Sequence, residues 1–168
     1  MVSMTSTVDW QAALLDLLNT TPAIDGQMVD QLADPAAART WLRVHGAGLG
    51  EDVDVGVVRT ARDDLQSVVR MEADASVLDR YLTDVRQVPD IGPDGVDWSL
   101  EADWQARLVL AWGELERDMP GRLRPCANDE CRLFLIDRSR AGTARWCSMS
   151  GCGNRMKARR HYSRTKSA

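Results

Sequence analysis

The sequence predicts a mainly α-helical domain over residues 1–120, followed at 121–168 by a small finger of one short β-hairpin and a helix, held together by cysteines. Three observations predict it. Apolar residues recur at helical spacing through most of the first 120 positions. All four cysteines fall after Pro125, in two close pairs. Charge divides at the same place. Residues 121–168 carry twelve Lys/Arg against three Asp/Glu, a net of +9, whereas residues 1–120 carry nine against twenty-two, a net of −13, within a chain of net −4. An acidic body therefore carries a basic, anion-seeking end.

The elements follow in order. Val8 to Leu18 holds Trp10, Leu14, Leu15, Leu17 and Leu18 at helical spacing, with Asp9 near its start. Asp34-Pro35 opens a second helix, Asp as N-cap and Pro at the first helical position. It carries Ala38, Trp41, Leu42 and His45 on one side and ends at Gly46. Asp54 to Val69 gathers Val57, Val58, Ala61, Leu65, Val68 and Val69, and Val77 to Val85 continues as helix with Leu78, Tyr81 and Leu82. Between Val88 and Trp98 three Gly/Pro-rich turns break the pattern, which fits a short hairpin or an irregular loop. Ser99, two residues before Glu101, opens a helix to about Met119 with Trp104, Leu108, Ala111, Trp112 and Leu115 as its stripe, stopped by Pro120-Gly121. In the finger, Leu133–Ile136 reads as a strand, Arg140–Thr143 as a turn, and Ser150 to Ser163 as helix.

The chain is long enough for one substantial core, or a modest domain with a small appendage. It has no apolar run of about 18 residues, so no membrane span is expected. Met1–Trp10 lacks the basic and apolar regions of a signal peptide. The expected location is the cytoplasm, where thiols stay reduced and clustered cysteines are metal ligands before they are disulfides.

The cysteine pattern is Cys126-x4-Cys131, fifteen residues, then Cys147-x4-Cys152. Two close pairs separated by a strand–turn–strand length are how one tetrahedral zinc is built from a short chain. Positions five apart on a helix differ by about 140° and cannot both face one ion. Cys147 must then precede the last helix, with Cys152 in its first turn, and knuckle, hairpin and helix make a treble-clef arrangement. The finger's own apolar set is Leu133, Phe134, Leu135, Ile136, Trp146 and Met149, too little to order about 40 residues unaided. A single structural zinc, binding with about 10–16 kcal/mol, reverses that balance. The alternatives are four unligated core cysteines or a redox switch that releases zinc. A catalytic zinc would keep an open position, and no spare His/Glu set stands nearby.

Residues 146–155 read Trp-Cys-Ser-Met-Ser-Gly-Cys-Gly-Asn-Arg, preceded by Phe134-Leu-Ile-Asp-Arg-Ser139 and followed by Lys157 and Arg159-Arg160-His161-Tyr162. This stretch, about Cys126 to Arg164, resembles the CGNR zinc-finger family, named for Cys152-Gly153-Asn154-Arg155. The resemblance implies zinc on the four cysteines and nucleic-acid binding in bacterial regulators. Leu17-Leu18-Asn19-Thr20 and Trp41-Leu42 make the first part similar to the companion helical domain called ABATE. That domain is regarded as belonging to stress-responsive transcription regulators.

The basic end suits nucleic acid, because each cation set on a phosphate releases counterions. Asn154, Arg155, Lys157, Arg159, Arg160 and Arg164 are the candidate contacts, with Arg138, Arg140, Arg145 and Lys166 nearby. Asn and Arg are suited to bidentate base contacts. Equally, Asn154 and Arg155 can cap the knuckle carbonyls or hold Asp137, and one basic stripe can pair with the acidic body. Trp10, Trp41, Trp98, Trp104 and Trp112 read as core rather than as a ligand pocket, and His45 and His161 as surface or capping residues. No nucleophile–base arrangement, phosphate loop or catalytic metal motif is visible, so no enzyme is expected. The expected function is a zinc-dependent, DNA-binding transcription regulator whose N-terminal domain senses a signal, through an unknown small molecule, or forms a homodimer. A protein-interaction or RNA-binding finger is the alternative.

Overall fold

The computed structural model describes residues 8–45 and 54–166. Helices α1 (Trp10–Leu18), α2 (Pro35–His45), α3 (Val55–Val69) and α4 (Trp104–Asp118) form the body, with a 3-10 turn at Ala75–Tyr81. Three two-stranded antiparallel hairpins interrupt them: β1 (Ala23–Ile24) with β2 (Gln27–Met28), β3 (Arg86–Gly92) with β4 (Gly95–Glu101), and β5 (Leu123–Pro125) with β6 (Phe134–Ile136). A π-helical turn at Met149–Gly153 leads into α5 (Asn154–Lys166). Helix takes 48% of the chain. With three hairpins beside it, the expected mainly α class is met only in part.

Helix starts follow local chemistry. The carboxylates of Asp9, Asp34, Asp54 and Asp103 each accept a backbone N–H from the first turn that follows, which satisfies donors that a helix leaves unpaired. The core is built from Leu14, Leu17 and Leu18 of α1, Val58, Ala61 and Leu65 of α3, and Trp104, Leu108 and Leu115 of α4. Leu42 of α2, Leu32 before it and Leu78 of the 3-10 turn close it.

Several expectations are corrected. The segment from Val77 is a 3-10 turn that ends at Tyr81, not helix to Val85. Ser99 lies in β4, and the helix begins five residues later. The reason is cross-strand pairing: Trp98–Glu101 pairs residue for residue with Arg86–Pro89, and Asp103 supplies the cap instead. The hairpin turns at Pro93-Asp94, where Gly95 takes a φ of +132° that a side chain would resist. Trp98 leaves the expected tryptophan core. It is 64% exposed on this ribbon, whereas Trp104 is buried and Trp10, Trp41 and Trp112 pack against the core. The expected stop at Gly46 lies outside the described residues, as do the side chains of His45, His161, Arg164 and Lys166.

The finger is welded to the body through its hairpin. Leu123 and Phe134 belong to the same buried cluster as the helices. At the end of α1, Asn19 accepts the Phe134 N–H at 2.7 Å and returns its amide N–H to the Phe134 carbonyl at 3.3 Å. At the end of α3, the Arg70 guanidinium stacks 4.4 Å over the Phe134 ring and donates to the Arg132 carbonyl at 2.7 Å. Phe134 is thus a core residue of the whole molecule, not of a separate finger core, and Met149, expected inside, is 54% exposed.

Candidate metal centre

The site grows from the β5–β6 hairpin. Antiparallel pairing of Leu123–Pro125 with Phe134–Ile136 brings the chain on either side of the first cysteine pair together. The Cys126 N–H then bonds the Leu133 carbonyl at 2.8 Å and closes a knuckle, and the Cys131 N–H bonds the Asn128 carbonyl at 2.7 Å. The strand's partner therefore precedes the first pair. No second strand lies between Cys131 and Cys147 among the described residues, against the strand–turn–strand expected there. The returning chain reaches the knuckle through the Ala127 N–H, which bonds the Arg145 carbonyl at 2.8 Å.

The second pair sits on the π-helical turn. Ser148 starts it by accepting the Gly151 N–H on its hydroxyl at 3.0 Å, and the turn delivers Cys152 just before α5 begins. Gly153 packs closely here: a Cβ would stand 2.9 Å from the sulfur of the exposed Met149 side chain, which would have to move aside, and 3.3 Å from the Trp146 ring. The expectation that Cys147 precedes the helix and Cys152 enters it is met in this form.

The four sulfurs of Cys126, Cys131, Cys147 and Cys152 lie within 4.8 Å of one another. The Cys131–Cys147 and Cys147–Cys152 separations are both 3.7 Å. Thiolates bound to a tetrahedral zinc at about 2.3 Å stand about 3.8 Å apart. The sulfurs are too far apart for disulfides, whose S–S bond is about 2.05 Å, and the cysteines are free. Four sulfurs at this spacing fit a dication and fill its coordination, which suits a structural ion rather than a catalytic one.

Electrostatics favours the same occupant. Burial and the crowding of neighbouring thiols push Cys131 up from its usual 9.0 to about 11, and push Cys147 up as well. At Cys152 burial also opposes ionisation, but hydrogen bonds from Asn128 and the other thiols outweigh it and lower the pKa. Cys131 and Cys147 thus keep their protons until a bound dication displaces them.

Two residues support the site: Asn128, which the sequence reading missed, and Asp137, whose partners there were misassigned. Asn128 is fully buried and donates its amide N–H to the Cys152 sulfur at 3.4 Å. The Cys147 backbone N–H points to the Cys126 sulfur at the same distance. Such donors orient metal ligands and temper their charge. Asp137 is buried and organises the loop from β6 to the second pair. It accepts the Ser139 N–H and hydroxyl, the Ala144 N–H and the Arg124 guanidinium. The Ser139 hydroxyl above all holds its carboxyl below the ordinary range. Asn128 inside a Cys-x4-Cys knuckle, and Asp137 two residues before a serine, are turn-forming placements that carried a signal.

Of the candidate nucleic-acid residues, Asn154, Arg155, Lys157, Arg159 and Arg160 all lie exposed along α5. Asn154 reaches the Ser150 carbonyl at 3.5 Å and does not hold Asp137. Arg159 forms an exposed ion pair with Glu130 of the first knuckle. The Arg164 side chain lies outside the described residues. Arg138 is turned toward the body, donating to the Gln11 side-chain carbonyl at 3.0 Å.

Residues 11–130 match the family model ABATE, described as "Putative stress-induced transcription regulator". Residues 122–165 match the model of the CGNR zinc finger. A search of curated proteins finds no match.

Proposed function

Because the chain belongs to the ABATE family and ends in a CGNR zinc finger, we propose that it is a zinc-dependent transcription regulator that docks α5 on DNA. The observation that carries this reading is the setting of α5. It begins one residue after the fourth sulfur ligand's glycine neighbour, buries no side chain in the core among the described residues, and exposes Arg155, Lys157, Arg159 and Arg160. A helix that contributes nothing to the core and much positive charge to the surface is suited to a groove lined by phosphates.

In this reading one zinc on Cys126, Cys131, Cys147 and Cys152 fixes the direction in which α5 leaves the body. The knuckle, the β5–β6 hairpin and the helix work as a treble-clef-like unit. Arg155, Lys157, Arg160 and Arg164 set the register on phosphates, and Asn154 with Arg155 at the helix start reach base edges. Arg159 exchanges Glu130 for a phosphate. The helical body senses a signal or pairs two copies, in the bacterial cytoplasm; among the described residues no helix is long and apolar enough to cross a membrane.

The test is fluorescence anisotropy of the zinc-loaded full chain against duplex from its own upstream region, a scrambled duplex and a hairpin RNA, over a salt series. Selective duplex binding is expected, with a log–log salt slope of about −4 for four or five phosphate contacts, and its loss in Cys147→Ser. Equal, weak binding to all three nucleic acids would overturn the reading and leave the finger as a protein-contact module.

A further inference from the structure

A cleft of about 360 Å³ lies where the body meets the finger, between α3, the segment after α1 and the first knuckle. Its size is that of a small-metabolite site. Its polar floor is built and buried: Arg62, Gln66 and Thr21 are each at least nine-tenths inaccessible. Arg62 is already neutralised. It grips Asp30 with two bonds of 2.6 and 3.1 Å, and Asp63 with a third of 2.9 Å. Gln66 gives its amide N–H groups to the Leu18 carbonyl and the Thr21 hydroxyl, both at 2.8 Å. That leaves the Thr21 hydroxyl hydrogen unspent.

The cleft's other two guanidiniums form no ion pair among the described residues, although Glu72 lines the same cleft. Arg70 touches the Phe134 ring and the Arg132 carbonyl, and the exposed Arg132 guanidinium forms no hydrogen bond or ion pair among the described residues. Burial first, and the neighbouring Arg132 second, push Arg70 below its usual value, with only Glu72 and Cys131 opposing. An oxyanion in the cleft could take charge-assisted hydrogen bonds from both guanidiniums.

We propose that this cleft binds a small oxyanion ligand, a carboxylate or a phosphate ester, across Arg70 of α3 and Arg132 of the first knuckle, with Thr21 as a further donor. Arg132 directly follows Cys131, so the bound ligand ties the metal knuckle to the end of α3. The assignment of this ligand as the signal rests on the proposed regulator function; the binding itself does not.

The experiment is isothermal titration of the zinc-loaded full chain with inorganic phosphate and with succinate, ionic strength held constant with sodium chloride. Saturable binding of at least one is expected, weakened tenfold or more in Arg132→Gln, whose guanidinium forms no hydrogen bond or ion pair among the described residues. Arg117→Gln, on the exposed face of α4, should bind as the parent does. Arg70→Gln serves as the second variant, read with its thermal midpoint because Arg70 also covers Phe134. Phosphate alone would identify a phosphate ester, and succinate alone a carboxylate. Failure of both to saturate, or an unchanged affinity in Arg132→Gln, overturns the site. Duplex anisotropy on the same anion-free samples separates the two ideas. Selective DNA binding without anion binding sinks the cleft alone, whereas anion binding without DNA selectivity sinks only the regulator reading.

Discussion

The two halves of the finger are held by different physics. The β5–β6 hairpin belongs to the body: Phe134 and Leu123 lie in the common core, and Asn19 and Arg70 clamp the strand from two helices. The Met149–Gly153 turn and α5 have no such anchorage, and rest on the knuckle through Cys147 and Cys152. Apolar burial secures the first half, and four clustered cysteines that could hold a metal ion sit under the second. On the proposed reading the finger is rigidly mounted at one end and metal-dependent at the other.

The largest expected effect comes from removing the metal. Structural zinc binds with about 10–16 kcal/mol, and chelation should abolish amide-exchange protection in residues 145–166 while the amides of α1, α3 and α4 stay protected. Uniform loss across both regions would break the distinction. Phe134→Ala should act in the opposite sense. Truncating a buried Phe costs about 3–5 kcal/mol, so urea denaturation of the zinc-loaded chain should show the whole body weakened by that amount. A normal body with only a loosened finger would mean that the strand is not part of the shared core.

The third test sharpens the comparison through acid. Cys131 and Cys147 are raised above their usual value in the metal-free cluster, so at pH 6–8 both carry protons that zinc must displace. Metal affinity should then rise with pH, by about two or more decades per pH unit for two or more protons released. Chelator competition between pH 6 and 8 would measure it. Each decade is about 1.4 kcal/mol, so acidification should free α5 before it touches the body. A flat profile would show that the thiols are already ionised without metal.

How legible this was depended on how local each interaction is. The clustering of the four cysteines could be read because their spacing alone limits where they can sit. Asp9, Asp34 and Asp54 could be read as helix starts because a cap contacts N–H groups two or three residues away. Ser99 was misread because its state is set by Val88 across the ribbon, and no periodicity within the segment reports that pairing. Trp98 looked like core for the same reason: an aromatic at a plausible spacing says nothing of whether anything covers it. Phe134 was seen as apolar, but its partner Asn19 lies 115 residues earlier. The sequence separated the finger from the body by charge, while packing joins them through neutral atoms.

The Asn19–Phe134 contact also sets an order of events during synthesis. The strand that completes the body's core is made 115 residues after Asn19, once α1, α3 and α4 have all been translated. At about 5–20 residues per second, Asn19 waits about 6–23 s for this partner. Cys147 and Cys152 are translated later still. Every residue of the shared core is thus made before the last two sulfurs, so a metal that takes all four would be bound last.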